Sequence, residues 1–215
     1  MNLDLFDTAS SKETEALGRH AFVLRGYALP FVEGILPALA AIEAAAPFRR
    51  MQTPGGHTMS AALTNCGELG WVSDRSGYRY SSVDPLSGRP WPAMPEVFRQ
   101  LAQEAARAAG LPNFKPDACL LNCYLPGSKM ALHQDKNEND LTASIVSVSL
   151  GIPAVFLFGG HHRSDKAARV PLFHGDVVVW GGEDRMRFHG ILPIKPAEHS
   201  LLGGRRINFT FRQAG

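Results

Sequence analysis

Arg206-Ile207-Asn208-Phe209-Thr210-Phe211-Arg212 alternates strictly. Ile207, Phe209 and Phe211 fall on one side; Arg206, Asn208, Thr210 and Arg212 fall on the other. A period of two is a strand signal, because successive side chains leave opposite faces of the pleat. Two environments satisfy this pattern. The polar side can face solvent on a half-buried strand, or it can face the inside of a barrel. A guanidinium inside a barrel demands an anionic partner. A dicarboxylate meets that demand, since Arg holds carboxylates in a bidentate grip. Arg206 and Arg212 lie ~20 Å apart on an ideal strand, so they have to lean toward one ligand from both ends.

Working back from this stretch, the region after residue 115 reads as short strands. Candidates are 118–125, 129–135, 143–150, 154–158, 170–173, 176–181, 186–191 and 205–212, with turn signals between them such as Pro126-Gly127, Gly159-Gly160 and His174-Gly175-Asp176. About eight strands at this spacing suggest a sandwich or an antiparallel jelly-roll barrel. The Pro126-Gly127 turn suggests that the strand carrying 129–135 folds back onto 118–125. Two helices precede the strands. One runs from Phe31 to Ala46 with Pro37 inside; the other covers 95–109, with Val97, Leu101, Ala105 and Ala108 on one face and Gly110 and Pro112 as stops. Residues 47–92 hold turn residues and the aromatics Trp71, Tyr78, Tyr80 and Trp91, a texture of irregular hairpins and loops.

Composition narrows the class. A chain of 215 residues that is 45% hydrophobic and 20% charged can bury a core and is not a disordered chain. The net charge of +2 is too small for a binder held to nucleic acid by charge alone. It is uneven, at −3 over residues 1–43 and +5 over the rest. Cys66, Cys119 and Cys123 form no CxxC, which predicts free thiols and no zinc finger. The acidic start, Met1 to Asp7, is not a signal peptide. The uncharged run from Leu141 to Gly160 is broken by Ser, Thr, Pro and Gly and reads as two buried strands, not a membrane span. A cytoplasmic protein is expected.

His133-Gln134-Asp135 is the sharpest candidate for chemistry. Residues i and i+2 of a strand share a face, so an imidazole and a carboxylate can address one point. His189, in another expected strand, can supply the third ligand. Two His and one carboxylate leave open positions, the facial arrangement of non-haem iron oxygenases. On an exposed strand end the same tripeptide would have no such role. Asn122 and Tyr124 share a strand face that the Pro126-Gly127 turn brings toward this point.

These residues carry a resemblance. The stretches PGGHTMSAALTNCGELGW (54–71), WPAMP (91–95), FKPDACLLNCYLPGSKMALHQDK (114–136), IVSVSLGIPAVFLFGG (145–160), HGDVVVWGGEDRMRFHGI (174–191) and RINFTFRQAG (206–215) resemble the AlkB family of iron- and 2-oxoglutarate-dependent nucleic-acid dealkylases. HxD…H combined with the terminal RxNxTxR strand is specific; either alone is not. The resemblance implies an α+β fold with a mainly β core, a double-stranded β-helix (jelly roll) with flanking helices. The whole chain is one catalytic domain: an extension and helix at 1–46, a nucleotide-recognition lid at 47–92 and the dioxygenase core at 93–215. His133, Asp135 and His189 correspond to the iron ligands, one Fe(II) per chain. Asn122, Tyr124, Arg206, Asn208 and Arg212 correspond to residues that hold 2-oxoglutarate. Trp71, Tyr78, Tyr80, Asn137 and Arg163 correspond to substrate contacts, with Trp71 stacking on a flipped base.

The implied activity is oxidative demethylation of bases such as 1-methyladenine and 3-methylcytosine in DNA or RNA. It consumes O2 and 2-oxoglutarate and releases succinate, CO2 and formaldehyde. The same oxygenase chemistry on another modified RNA or a small molecule is the alternative. A monomer with no membrane partner is expected. Two positions depart from the founding type of the family: Asn137 stands where it has an acid, and His57 where it has a Tyr. An amide adds no charge toward a cationic methylated base.

Overall fold

Residues 13–215 are described by a computed structural model. In chain order the elements are β1 (Thr14–Ala16), β2 (Ala21–Leu24), α1 (Val32–Ala45), β3 (Ala62–Gly67), β4 (Gly70–Asp74), β5 (Gly77–Ser81), α2 (Glu96–Ala108), β6 (Ala118–Tyr124), β7 (Met130–His133), β8 (Ile145–Gly151), β9 (Ala154–Phe158), β10 (Ala168–Leu172), β11 (Val177–Trp180), β12 (His189–Ile191) and β13 (Arg206–Arg212). They form a seven-stranded sheet in the order β1-β2-β11-β8-β13-β6-β3, a four-stranded sheet in the order β10-β9-β12-β7, and the hairpin β4-β5. The two larger sheets face each other as a double-stranded β-helix. Phe156 and Phe158 of the smaller sheet pack on Trp180 of the larger one, with ring centroids 6.1 and 6.4 Å apart.

Strand β13 is central to the larger sheet, paired with β6 on one edge and β8 on the other. All seven of its residues are buried. Its apolar face joins Val146, Val148 and Leu150 of β8 against the helices, with Phe98 stacked on Phe209 at 4.5 Å. Its polar face turns inward between the sheets, so the solvated-face alternative does not hold. On α2 the buried stripe is Phe98, Leu101, Ala102, Ala105 and Ala106, a 3.6-residue pattern. That is rotated from the expected face: Ala108 is exposed and Val97 only half-buried.

The strand list after residue 115 agrees with the sequence reading, with one correction of partnership. Strand β7 does not fold back on β6. Both edges of β6 are already occupied, by β13 and β3, and β7 pairs with β12 in the other sheet. The Pro126-Gly127 turn therefore carries the chain across the sandwich. Before residue 115, β1, β2 and β3 have no counterpart in the sequence reading, while β4 and β5 form a hairpin inside the 47–92 stretch read as irregular hairpins and loops. Strand β3, inside the stretch read as lid, is an edge of the larger sheet, and only β4 and β5 form a separate hairpin. The run from Leu141 to Gly160 does hold two strands, β8 fully buried and β9 alternating. Cys66, Cys119 and Cys123 are free. The reading of the first residues as no signal peptide lies outside the described residues. Among the described residues, no helix is long and apolar enough to cross a membrane.

Candidate active site

Register builds the site. His133 ends β7 and His189 begins β12, and the two are direct partners in that antiparallel pair. Asp135 follows two residues after His133 on the irregular segment leaving β7. The ligating atoms of His133, Asp135 and His189 lie within 4.8 Å of one another. Each histidine Nε2 is 3.7 Å from a different oxygen of Asp135. The other ring nitrogens face carbonyl oxygens: His133 Nδ1 is 2.9 Å from Ala131 O and His189 Nδ1 is 3.1 Å from Arg187 O. A carbonyl only accepts, so each Nδ1 carries the hydrogen. Each Nε2 lone pair is then left for the shared point.

Electrostatics puts His189 and Asp135 in their ligating forms. Burial, with the neighbouring His133, pushes the His189 imidazole down to about 3. Burial alone would raise the Asp135 carboxyl, but the Arg212 guanidinium, aided by the two histidines, holds it well below the usual carboxylate range. Arg212 donates to Asp135 Oδ2 from Nε at 3.0 Å and from Nη2 at 2.7 Å. Two neutral imidazoles and one carboxylate suit a divalent cation with positions left open.

Above the triad the inner face of the larger sheet supplies a polar belt. Asn208 sits opposite Asn122 on β6 and Ser149 on β8, and Arg206 sits opposite Tyr124. Asn208 Nδ2 donates to Ser147 Oγ at 2.8 Å and Val148 O at 3.0 Å, while its Oδ1 accepts from Thr210 at 3.1 Å. Arg206 is 1% exposed. Its Nη2 donates to Ser149 Oγ at 3.0 Å and its guanidinium lies 5.1 Å from the Tyr124 ring centroid. Its Nε and Nη1 have no partner among the described residues, and neither has Asn122 Oδ1. A buried guanidinium with two free donors is a seat for a carboxylate. Arg206 and Arg212, expected to lean on one ligand from both ends, thus have distinct settings: Arg212 already grips Asp135, while Arg206 is short of an anion.

A cavity of about 580 Å³ joins these parts. Every candidate metal, co-substrate and substrate residue lines it except Tyr80; His57 does not line it either. Trp71 and Tyr78 of the β4-β5 hairpin stand at its mouth, stacked with centroids 5.5 Å apart at 16°. The Trp71 indole donates to Asn137 Oδ1 at 3.2 Å. Arg163 reaches the mouth from the β9-β10 connection, bonded to Leu132 O and resting on Phe188.

Tyr80 lies apart from the cavity lining. Its hydroxyl donates to Glu138 Oε1 at 2.7 Å, behind the cavity wall. Glu138, which no sequence motif selects, is buried between Arg185 Nη2 at 3.0 Å and Arg212 Nε at 3.4 Å. Arg185 in turn donates to Asp135 O at 2.7 Å and Ala143 O at 2.9 Å. No local pattern marks Glu138 or Arg185; their roles come from contacts across 47 residues of sequence.

The family model described as "2OG-Fe(II) oxygenase superfamily" matches residues 29–212. The chain is 54% identical over 213 residues to "Alpha-ketoglutarate-dependent dioxygenase AlkB" of Escherichia coli (strain K12), spanning 99% of this chain and 98% of that one. It is 45% identical over 170 residues to "Alpha-ketoglutarate-dependent dioxygenase AlkB homolog" of Caulobacter vibrioides (strain NA1000 / CB15N), spanning 79% of this chain and 76% of that one. Among solved structures, that of OsALKBH1 superposes with a TM-score of 0.82 at 30% identity, covering 94% of this chain and all of the other.

Proposed function

The chain belongs to the AlkB family of 2OG-Fe(II) oxygenases, and from that premise we propose that it repairs N-alkylated nucleic-acid bases directly, by oxidative demethylation. Substrates are bases such as 1-methyladenine and 3-methylcytosine in DNA, or in RNA, presented single-stranded or flipped from a duplex. The protein acts as a monomer in the cytoplasm, consistent with its free cysteines.

One observation carries the reading. The triad, the anion-seeking Arg206 and the stacked Trp71 and Tyr78 open into a single cavity. His133, Asp135 and His189 hold Fe(II). Bound iron, with 2-oxoglutarate and O2, supplies the oxidising power that hydroxylates an N-methyl carbon, with succinate, CO2 and formaldehyde as products. Arg206 takes the far carboxylate of 2-oxoglutarate on Nε and Nη1, while Tyr124, Asn122 and Asn208 shape the slot around it. Arg212 keeps Asp135 ionised and aligned. Trp71 and Tyr78 offer a face on which an extruded base stacks, and Arg163 and Lys129 line the same mouth where the backbone enters. The apolar walls Phe156, Trp180 and Ile191 keep water from the reacting carbon.

The test is formaldehyde and succinate release from an oligonucleotide carrying 1-methyladenine or 3-methylcytosine, with Fe(II), 2-oxoglutarate and air. Stoichiometric release is expected, and none from His133→Ala. Iron and 2-oxoglutarate binding without release from any alkylated nucleic acid would move the chemistry to a different substrate.

A further inference from the structure

His189 Nδ1 donates to the Arg187 carbonyl, so the direction of that carbonyl sets the turn of the imidazole and the aim of its Nε2 lone pair. His133 makes the same bond to Ala131 O. The two carbonyls differ in what stands behind them. Ala131 offers only a methyl group. Arg187 has a long side chain, 20% exposed, that folds back over its own strand end.

That side chain joins three segments of the fold. Nε donates to Gly159 O, just past the end of β9. Nη1 donates to Asp184 Oδ1 at 3.0 Å, in the connection from β11 to β12. It also donates to Leu17 O at 3.2 Å, in the turn between β1 and β2. The guanidinium lies 4.2 Å from the ring centroid of Phe158, and Phe158 is the register partner of His189. The neighbouring peptide is held as well: Phe188 N donates to Gly160 O at 2.8 Å, and Phe188 O accepts from Gly159 N at 2.7 Å. A mostly buried ion pair is weak evidence for stability. A planar guanidinium with both Nε and Nη1 engaged fixes an orientation.

The far end of this clamp depends on a glycine. Asp184 is buried, and its Oδ2 accepts from His20 N at 2.7 Å. A Cβ at Gly18 would sit 2.4 Å from the same Oδ2. Any other residue at position 18 therefore displaces the carboxylate on which Arg187 is seated. Contacts run without a gap from the β1-β2 turn, through Asp184 and Arg187, to His189.

We propose that Arg187 is a positioning residue for the metal site. With Asp184, and the room that Gly18 leaves for it, Arg187 keeps its own carbonyl on His189 Nδ1 and so pins the second imidazole. The inference rests on the ligand assignment in the proposed function and adds a support for it that reaches back to the first hairpin.

The experiment titrates metal-free, full-length protein with Co(II) and follows its visible absorption bands, which report the ligand field. Three variants accompany the wild type. Arg187→Met keeps an apolar contact on Phe158 and loses the donors. Gly18→Ala leaves Arg187 intact and crowds Asp184. His189→Ala removes the ligand. Titrations run well below each melting temperature, so that folded protein is compared with folded protein. Arg187→Met is expected to weaken the Co(II) Kd by roughly tenfold or more and Gly18→Ala by roughly threefold or more, given what groups that orient a metal-binding histidine contribute. Both are expected to alter the bands at saturation. A Co(II) Kd within about twofold of wild type and unchanged bands in either variant overturn the inference, even where the melting temperature falls, because the clamp then serves the fold alone. If Arg187→Met does not fold, Gly18→Ala decides. His189→Ala separates the two failures: it is expected to lose the wild-type bands and most of the affinity, and if it keeps both, the ligand assignment falls and the positioning role with it.

Discussion

Replacing Arg206 by Met separates what this side chain costs the fold from what it does for the co-substrate. Arg206 is buried with two donor nitrogens that have no partner among the described residues. Burial lowers its pKa, opposed by Tyr124. Each unmet buried donor costs ~1–3 kcal/mol. Against that, Met forfeits the bond to Ser149 and the contact with the Tyr124 ring, ~1 kcal/mol each. The balance favours Met by ~0–4 kcal/mol, centred near ~2, and a domain of this size converts the central value to a Tm higher by about 4–8 °C. Binding moves the opposite way. Removing the cationic partner of a buried carboxylate costs ~3–5 kcal/mol, a Kd for 2-oxoglutarate weaker by about 150- to 4,000-fold. The assay is a thermal melt of wild type and Arg206→Met, with Mn(II) as a redox-inert ion and without it, across a 2-oxoglutarate titration. The variant is expected to melt higher alone and to gain almost nothing from 2-oxoglutarate. If it melts lower than wild type alone and still binds 2-oxoglutarate within threefold, Arg206 is a structural residue and the reasoning fails.

Trp71→Ala removes one wall of the base stack; KM for a methylated oligonucleotide is expected to rise roughly 5- to 150-fold in steady-state assays, from ~1–3 kcal/mol of stacking. Glu138→Gln leaves Arg185 and Arg212 sharing an uncharged partner and is expected to cost about 3 kcal/mol in urea denaturation, more than Tyr80→Phe, which loses one hydrogen bond and costs ~1–2 kcal/mol. Burial, with His199 beside it, lowers the His174 imidazole to about 4. The unfolded chain therefore binds the proton first, and stability is full above pH 6.5 and falls toward pH 4. His174→Asn should flatten that acid limb, by less than about 1 kcal/mol per pH unit given its partial exposure, in melts across this range. Gly151 has φ +88° and a Cβ there would sit 2.2 Å from Arg205 O; Gly151→Ala is expected to cost ~2 kcal/mol or more by chemical denaturation.

Local periodicity made the site legible where the information is local. The alternation of β13 is a property of the strand itself and survives folding unchanged; His133 and Asp135 still meet at one point, although Asp135 lies on the irregular segment beyond β7. Pairing is not local. A Pro-Gly turn looks the same whether it closes a hairpin or carries the chain to a second sheet. What decides at Pro126-Gly127 is that β13 and β3 already fill both edges of β6. Strand β3 was hidden for a related reason. Its sequence, Ala62-Leu63-Thr64-Asn65-Cys66-Gly67, is buried on both faces, so it shows no alternation, and Asn65 is satisfied by the backbone of Trp71 at 3.0 Å in each direction. Tyr80 sits two residues from Tyr78 on β5, and sequence treats the pair alike. Glu138, which faces only one of them, draws Tyr80 away from the cavity.

The buried charges explain why β13 can carry two arginines without two identical costs. Asp135, Glu138, Arg185 and Arg212 form a set with no net charge, each cation touching at least one of the carboxylates. Such a set is tolerable in a core because every charge has a close opposite and further hydrogen bonds. Arg206, at the other end of the strand, has a serine hydroxyl and an aromatic face and, among the described residues, no carboxylate. The unmatched charge is thus confined to one residue, 1% exposed, on the inner wall of the cavity. A divalent ion and a dicarboxylate add equal and opposite charge, so loading both would leave the sum unchanged, whereas the ion alone would leave the site far more positive and the dicarboxylate alone would invert its sign. Each favours the other through the same low-dielectric wall that makes Arg206 costly when the cavity holds neither. The strand's outer face, with Phe209 and Phe211 packed on Phe98, supplies the apolar burial that offsets that cost. One seven-residue alternation therefore divides its work by parity: even-numbered residues face the cavity, odd-numbered residues hold the sheet to its helix.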